Sequence, residues 1–240
     1  MSTTNPPAGP SANPSAGLSA GLAGALGAPD PSVRLRAALA AGSSPGPGLL
    51  EVLVRRCAAE PDPFVRDMLT WALTRLPAGE TLPRLRRELG SPVPRARAQA
   101  LHTLSKLGDA RAWSWMSGDL LRDPDDDVAR TAWRTAVALA PDGERAGLAA
   151  ALASQLGRGG RDVRLSLSRA LVALGDAAAS ALAAAAAGPD PEAAAHARAT
   201  EALARDPEAG FDAALADARR AAALGPGRAA AVAAGQGAVC

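Results

Sequence analysis

The sequence predicts an all-α fold, an α-solenoid of about six stacked antiparallel helix pairs, and three observations predict it. The first is a period. The motif Asp30-Pro31-Ser32-Val33-Arg34 returns as Asp62-Pro63-Phe64-Val65-Arg66, and in looser form at Ala96-Arg97, Val128-Ala129, Val163-Arg164 and Ala195-His196. The last residues of these copies fall at 34, 66, 97, 129, 164 and 196, in steps of 32, 31, 32, 35 and 32. A fixed period of that length marks a repeat array, whose units cannot bury their own apolar faces and must stack on one another. The second is composition: the apolar residues are mostly Ala and Leu, with no Ile, no Tyr and only two Phe. Ala and Leu favour helices, whereas strands draw on β-branched and aromatic residues. The third is punctuation. Asp30, Asp62, Ser91, Asp123 and Asp190 stand beside proline where helices start, and Pro77, Gly108, Pro141, Gly175 and Pro207 follow where they stop.

Taken in order, residues 1–15 carry Pro6, Pro7, Pro10 and Pro14 and are expected to form a disordered tail. Residues 16–224 form the solenoid, and the Gly- and Ala-rich residues 225–240 a flexible C-terminal tail. Within the array two helix types alternate. First helices are expected near 16–26, 47–59, 79–89, 110–121, 143–156, 176–187 and 208–224. Second helices, each opened by the motif, are expected near 31–41, 63–76, 93–107, 125–140, 162–174 and 191–205. Three places after the motif's last residue come Ala37, Leu69, Ala100, Ala132, Leu167 and Ala199; seven places after it come Ala41, Leu73, Leu104, Ala136, Leu171 and Leu203. Ten places after it come Leu76, Leu107, Leu139 and Leu174, with Asp206 breaking the column. Offsets of three, seven and ten lie on one face of an α-helix, so these columns are the expected core. The single long step, 35, is absorbed by Gly157-Arg158-Gly159-Gly160-Arg161, expected to be a flexible insertion.

The formal net charge is only +2, weak for a protein whose main task is gripping phosphate backbones. Lys106 is the single lysine, and with the Ala, Gly and Pro excess this fits the codon bias of a high-GC bacterial genome. Two separated cysteines, Cys57 and Cys240, suit a reducing cytosol rather than a disulfide scaffold. The first 30 residues show no basic stretch followed by an apolar run, so the expectation is a cytoplasmic protein with no membrane span.

The motifs resemble HEAT repeats, in particular the short HEAT-like units of phycobilisome lyases. That resemblance rests on Asp62-Pro63-Phe64-Val65-Arg66 at the opening of a second helix. It rests equally on Ala170-Leu171-Val172-Ala173-Leu174-Gly175-Asp176 at the close of another, with Leu104-Ser105-Lys106-Leu107-Gly108-Asp109 a near match. It covers roughly residues 16–220. The resemblance implies second helices lining a concave face that binds another macromolecule; it is specific for fold and nearly silent on function.

Two lines of residues are candidates for a role beyond packing. The motif arginines Arg34, Arg66, Arg97 and Arg164 align with the core columns, so their stems are expected to be buried and their heads to meet an Asp or a carbonyl of an adjacent repeat. Five places after the motif come Trp71, His102, Arg134 and Arg169, and a turn on or back lie Arg75, Lys106 and Arg130. This line is off the core columns and mixes Trp with cations, the residue types richest at interface hot spots. Trp71, Arg75, His102, Lys106, Arg130, Arg134 and Arg169 are therefore the expected partner-binding strip, against the plainer reading of a solvated face with Trp71 packed on the next repeat. Trp133, next to a core column, is expected in the core, and Trp113 is expected to share a core face with Met116 and Leu120.

Catalysis finds no support. His102 and His196 are the only histidines, neither in a metal-ligand spacing, and no nucleophile–base pair is visible. The His-Glu pairs that hold iron in deoxyhypusine-type hydroxylases, also built from such repeats, do not occur. The acidic run Asp123-Pro124-Asp125-Asp126-Asp127 sits where a helix starts, and carboxylates there complement the helix dipole. The expected function is a non-catalytic scaffold or adaptor with no cofactor, holding a protein partner and suited to an acidic segment. The alternative is a nucleic-acid-binding protein resembling the HEAT-like DNA alkylation repair glycosylases, invited by Trp71 beside Asp67 and Arg75. A bilin-binding subunit is a third reading, suggested by the family's name alone.

Overall fold

A computed structural model describes residues 21–206 and 210–220. The expected tails at 1–15 and 225–240, and the outermost ends of the predicted array, lie outside the described residues. Among the described residues every regular element is a helix. The chain divides into two compact units, Met1–Leu107 and Gly108–Cys240.

In the first unit a helical stretch at 21–26 leads into α1 (Pro31–Ser43), followed by α2 (Leu49–Ala59), α3 (Pro63–Thr74), α4 (Ala78–Glu88) and α5 (Pro94–Leu107). The motif-bearing helices α1, α3 and α5 pack side by side, and α2 and α4 pack against them. Leu53, Val54 and Cys57 of α2 and Leu82 and Leu85 of α4 are buried, as are Leu69 and Leu73 of α3 and Ala100 and Leu104 of α5. The offset-three and offset-seven columns are thus the core of this unit.

The second unit opens with a 3-10 turn, Ala110–Trp115, and continues with α6 (Gly118–Leu121), α7 (Asp126–Leu139), α8 (Arg145–Ala153) and α9 (Arg161–Ala173). Next come a 3-10 turn at Gly175–Ala178, α10 (Ala179–Ala186), α11 (Pro191–Arg205) and a helix at 211–220. Again α7, α9 and α11 pack in series, with α8 against α7 and α9, and α10 against α11. Ala195 and Ala199 of α11 close on Phe211, Leu215 and Ala218.

The helix starts follow the caps. Asp30, Asp62 and Asp190 each accept from backbone N–H groups of the first turn, with proline at the helix start. In the fourth copy Asp125, rather than Asp123, is the cap, accepting from the N–H groups of Asp127 and Val128. Asp123 stands one turn of chain earlier and accepts from Asp125 N–H.

Three expectations are corrected. The helix predicted at 110–121 is a 3-10 turn and a single α-turn, because Asp109 and Ser117 each cap a separate start. Its buried residues are Ala112, Leu120 and Leu121, while Trp113 and Met116 are only half-buried. Trp133 is wholly buried, as expected, and its Nε1–H donates to Leu121 O at 2.8 Å.

The segment Gly157–Arg161 is a tied turn rather than a loose spacer. Gly157 and Gly159 hold φ of 87° and 67°, which glycine adopts at little cost. Gly157 N–H donates to His196 Nδ1 of α11 at 3.1 Å, and Gly159 O accepts from Arg164 Nε at 3.0 Å. Arg158 reaches α7, where it donates to Asp126 and to the carbonyl of Asp123.

Candidate functional site

The motif arginines are ligands of the turns that precede their own helices. Arg34 donates to Ala28 O and Pro29 O at 2.9 and 2.7 Å, Arg66 to Glu60 O and Pro61 O at 3.1 and 2.6 Å, and Arg97 to Ser91 O at 2.8 Å. Arg34 and Arg164 also reach an adjacent repeat, and there the partner is a glutamate where an aspartate or a carbonyl was expected. Glu60 takes two hydrogen bonds from Arg34, both 2.8 Å, and Glu192 takes one from Arg164 at 2.7 Å. Glu60 is fully buried and also accepts from Arg56 and from Asp62 N–H. Burial alone would raise its pKa, but the hydrogen bonds from Arg34, Asp62 N–H and Arg56 outweigh that and hold the carboxyl at about 2.

His196, at the motif position of the sixth copy, is equally structural. Since Nδ1 accepts from Gly157 N–H, the ring proton is assigned to Nε2, which lies 3.0 Å from both Arg164 O and Ser168 Oγ. Ser168 in turn meets Thr200 Oγ1 at 2.7 Å, and Thr200 donates to His196 O. The Phe211 ring meets the imidazole edge to face at 5.7 Å. Burial pushes the His196 pKa down to about 4, so the ring is neutral. Every polar atom of this Ser–His–Thr cluster is engaged and buried, which suits a lock between helices.

The offset-five line is the part of the second helices left open to solvent, and it falls into two groups, one in each unit. In the first unit Trp71 is 37% exposed. Arg75 and Lys106 are exposed and His102 is half-buried. Trp71 is seated on the preceding repeat rather than the next one. A Cβ added at Gly42 of α1 would lie 2.2 Å from the Trp71 ring, so the indole occupies the space that glycine leaves. One residue of this line was missed by counting from Trp71: Leu39, five places after Arg34, is 47% exposed on α1. The period itself carried that signal, because Leu39 is the same column one repeat earlier.

In the second unit Arg130 and Arg134 of α7 and Arg169 of α9 line one open cleft of about 300 Å³, together with Val137, Asp162 and Leu165. The carboxylate of Asp127 lies 3.6 Å from Arg130 Nη1, and Arg134 donates a 3.3 Å bond to Thr131 Oγ1. Burial and the adjacent Arg130 charge pull the Arg134 pKa below its ordinary value. Arg130 Nε is buried and donates to nothing among the described residues. In the sixth copy the line ends in Glu201, which is half-buried. Among the described residues no group of three His, Cys, Asp or Glu side chains is placed to hold a metal ion, and no single helix is long and apolar enough to cross a membrane.

Residues 51–140 match the family model of HEAT repeats, in keeping with the paired helices, arginine-tied turns and recurring motif of each unit. Among solved structures the chain is similar to human deoxyhypusine hydroxylase in complex with glycerol, at 18% identity and a TM-score of 0.43, over 87% of this chain and 95% of that one. No curated protein matches it.

Proposed function

We propose that the chain is a non-catalytic scaffold that holds an acidic segment of a protein partner on the open face of its motif-bearing helices. One observation carries this reading: the offset-five line and its flanks present cations that the fold leaves unused. Among the described residues Arg75, Lys106 and Arg169 make no ion pair, whereas the motif arginines close by are consumed by turn carbonyls and glutamates. Leu39 and Trp71 add exposed apolar surface to the same line in the first unit. Trp and Arg side chains of this kind supply much of the binding energy at protein interfaces. The reading places the chain in the cytoplasm of a bacterium. It is supported there by Cys57, buried and unpaired with its pKa pushed up to about 12 by desolvation, and by an almost lysine-free basic composition.

The test is fluorescence anisotropy with a labelled Glu-rich amphipathic peptide and a Lys-rich peptide of equal length. The Glu-rich peptide is expected to bind, and the Trp71→Ala/Arg134→Ala double variant to lose at least tenfold in affinity with far-UV circular dichroism unchanged. Equal binding by the variant overturns the proposal. Duplex DNA forms a further arm. Binding to it that falls steeply with salt, with no response to the Glu-rich peptide, replaces the scaffold with the nucleic-acid reading.

A further inference from the structure

The cleft between α7 and α9 has the makings of a specific site. Its walls are uneven in chemistry: Arg130, Arg134 and Arg169 contribute guanidinium groups, while Val137, Leu165 and Ala173 contribute hydrocarbon. An arginine donates through five N–H groups, and a buried donor left without an acceptor carries an uncompensated desolvation penalty. Arg130 Nε–H is such a donor. Arg169 makes no hydrogen bond or ion pair among the described residues. Arg134 is exposed to the cleft's solvent, stands beside the like charge of Arg130 and has one hydrogen bond, to Thr131 Oγ1.

The charges within reach are few. Three guanidinium charges stand against the carboxylates of Asp162, which lines the cleft, and Asp127, which lies 3.6 Å from Arg130. Arg161, which pairs with Asp162, is itself balanced by Asp212. The cleft therefore holds one positive charge in excess. A single carboxylate neutralises it, while a phosphate dianion overshoots it. The hydrocarbon walls suit a methylene stem better than a bare oxyanion.

We propose that this cleft is a carboxylate-binding site that seats one glutamate side chain of a bound peptide, with its oxygens accepting from the terminal guanidinium N–H groups of Arg130, Arg134 and Arg169. The assignment rests on the scaffold reading above and names the chemistry by which the second unit takes part in it. Guanidinium–carboxylate contacts are short and charge-assisted, and they are stronger where water is partly excluded.

The full chain labelled with ¹⁵N in arginine and tryptophan side chains tests it by nuclear magnetic resonance. The probes are end-capped tetraglutamate, tetraglutamine and a phosphoserine tetrapeptide. Tetraglutamate is expected to shift the Arg130 Nε–H signal saturably, tetraglutamine to leave it in place, and Arg169→Gln to weaken the tetraglutamate response at least tenfold. A silent Arg130, an equal response to tetraglutamine, or phosphoserine binding tenfold tighter than glutamate overturns the proposal. The Trp71 Nε1–H signal separates the two levels of the reading. A response to tetraglutamate at Trp71 with Arg130 silent defeats the cleft and spares the scaffold, and silence at both defeats both.

Discussion

At the scale of single residues, two small features do more than their size suggests. Gly42 lies inside α1, where alanine would ordinarily be the better helix former. Here the Trp71 ring fills the position of its missing Cβ. Gly42→Ala is therefore expected to destabilise the protein by about 1–3 kcal/mol, the usual cost of overpacking, seen as a lower urea midpoint. In a Trp71→Ala background most of that penalty is expected to vanish with the ring, leaving only the close approach to the Ala72 Cα at 3.0 Å. A full penalty in that background sinks the account.

His196 gives the second residue-scale prediction. Its folded pKa of about 4 lies below the ordinary 6.5, so between those values the unfolded chain binds a proton that the folded chain refuses. Stability from this group is complete above pH 6.5 and is lost as the pH falls to about 4, a change of about 3 kcal/mol by linkage. The other groups facing His196 are Arg164, Arg219 and Glu192. The arginines stay charged throughout, and Glu192, lowered from 4.5 to about 2, adds its own loss of stability only as the pH falls below about 4.5. A His196→Gln variant is expected to lack the slope between about pH 6.5 and 5 in denaturation titrations, where the carboxylates do not yet contribute; an unchanged slope there refutes the assignment.

At the scale of elements, the recurring device is a guanidinium that ties off the turn before a motif-bearing helix. Arg34, Arg66 and Arg97 each serve the carbonyl six places back. The fourth copy has Ala129 in that position and cannot. Its turn carbonyl, on Asp123, accepts instead from Arg158 of the following repeat at 2.5 Å. The same side chain also bonds Asp126 and lies 6.0 Å from the centre of the Trp133 ring. The glycine-rich turn at 157–161 is thus where the array replaces a missing arginine. Arg158→Ala is expected to cost about 2 kcal/mol, the range of hydrogen bonds to a charged group, measured by chemical denaturation. Arg158→Lys is expected to recover only part of that, since an ammonium lacks the fork that spans carboxylate and carbonyl. Full recovery by lysine contradicts the mechanism.

At the scale of the whole molecule, repeat stability is a sum of local and nearest-neighbour contributions. Glu60 is the hub of the first unit, joining Arg34, Arg56 and the Asp62 N–H, and Glu60→Gln is expected to cost about 3–5 kcal/mol by leaving buried guanidinium charge uncompensated. Glu60 and Arg158 share no partner, so their losses are expected to add to within about 0.5 kcal/mol in the double variant. A larger coupling, read from denaturation of the four proteins of the cycle, refutes the local account. The candidate site belongs to this scale too: what reads in sequence as one strip of seven residues is an apolar and cationic face in the first unit and an arginine cleft in the second.

Much of the fold was legible from spacing. Three of the motif-bearing helices, α1, α3 and α11, start at their Asp-Pro caps, and the columns at offsets three and seven are buried almost throughout, with Leu203 half-buried near the end of the described array. These are properties of local chain geometry: a cap, a helical period and a stop each depend on residues within a turn or two. Less of the site was legible. The exposure of the offset-five line followed from the same period, but the seat of Trp71 on Gly42 joins residues from different repeats. So do the use of Arg158 in place of an arginine at position 129 and the orphaned Arg130 Nε–H beside Arg134 and Arg169. The sequence by itself determined the helices, their order and the face each buries, because short-range sterics and burial dictate them. Only the tertiary structure decided which arginines are spent on turns and which, like Arg169, are left without an acceptor among the described residues, because that depends on which acceptors the packed neighbours bring within hydrogen-bonding distance.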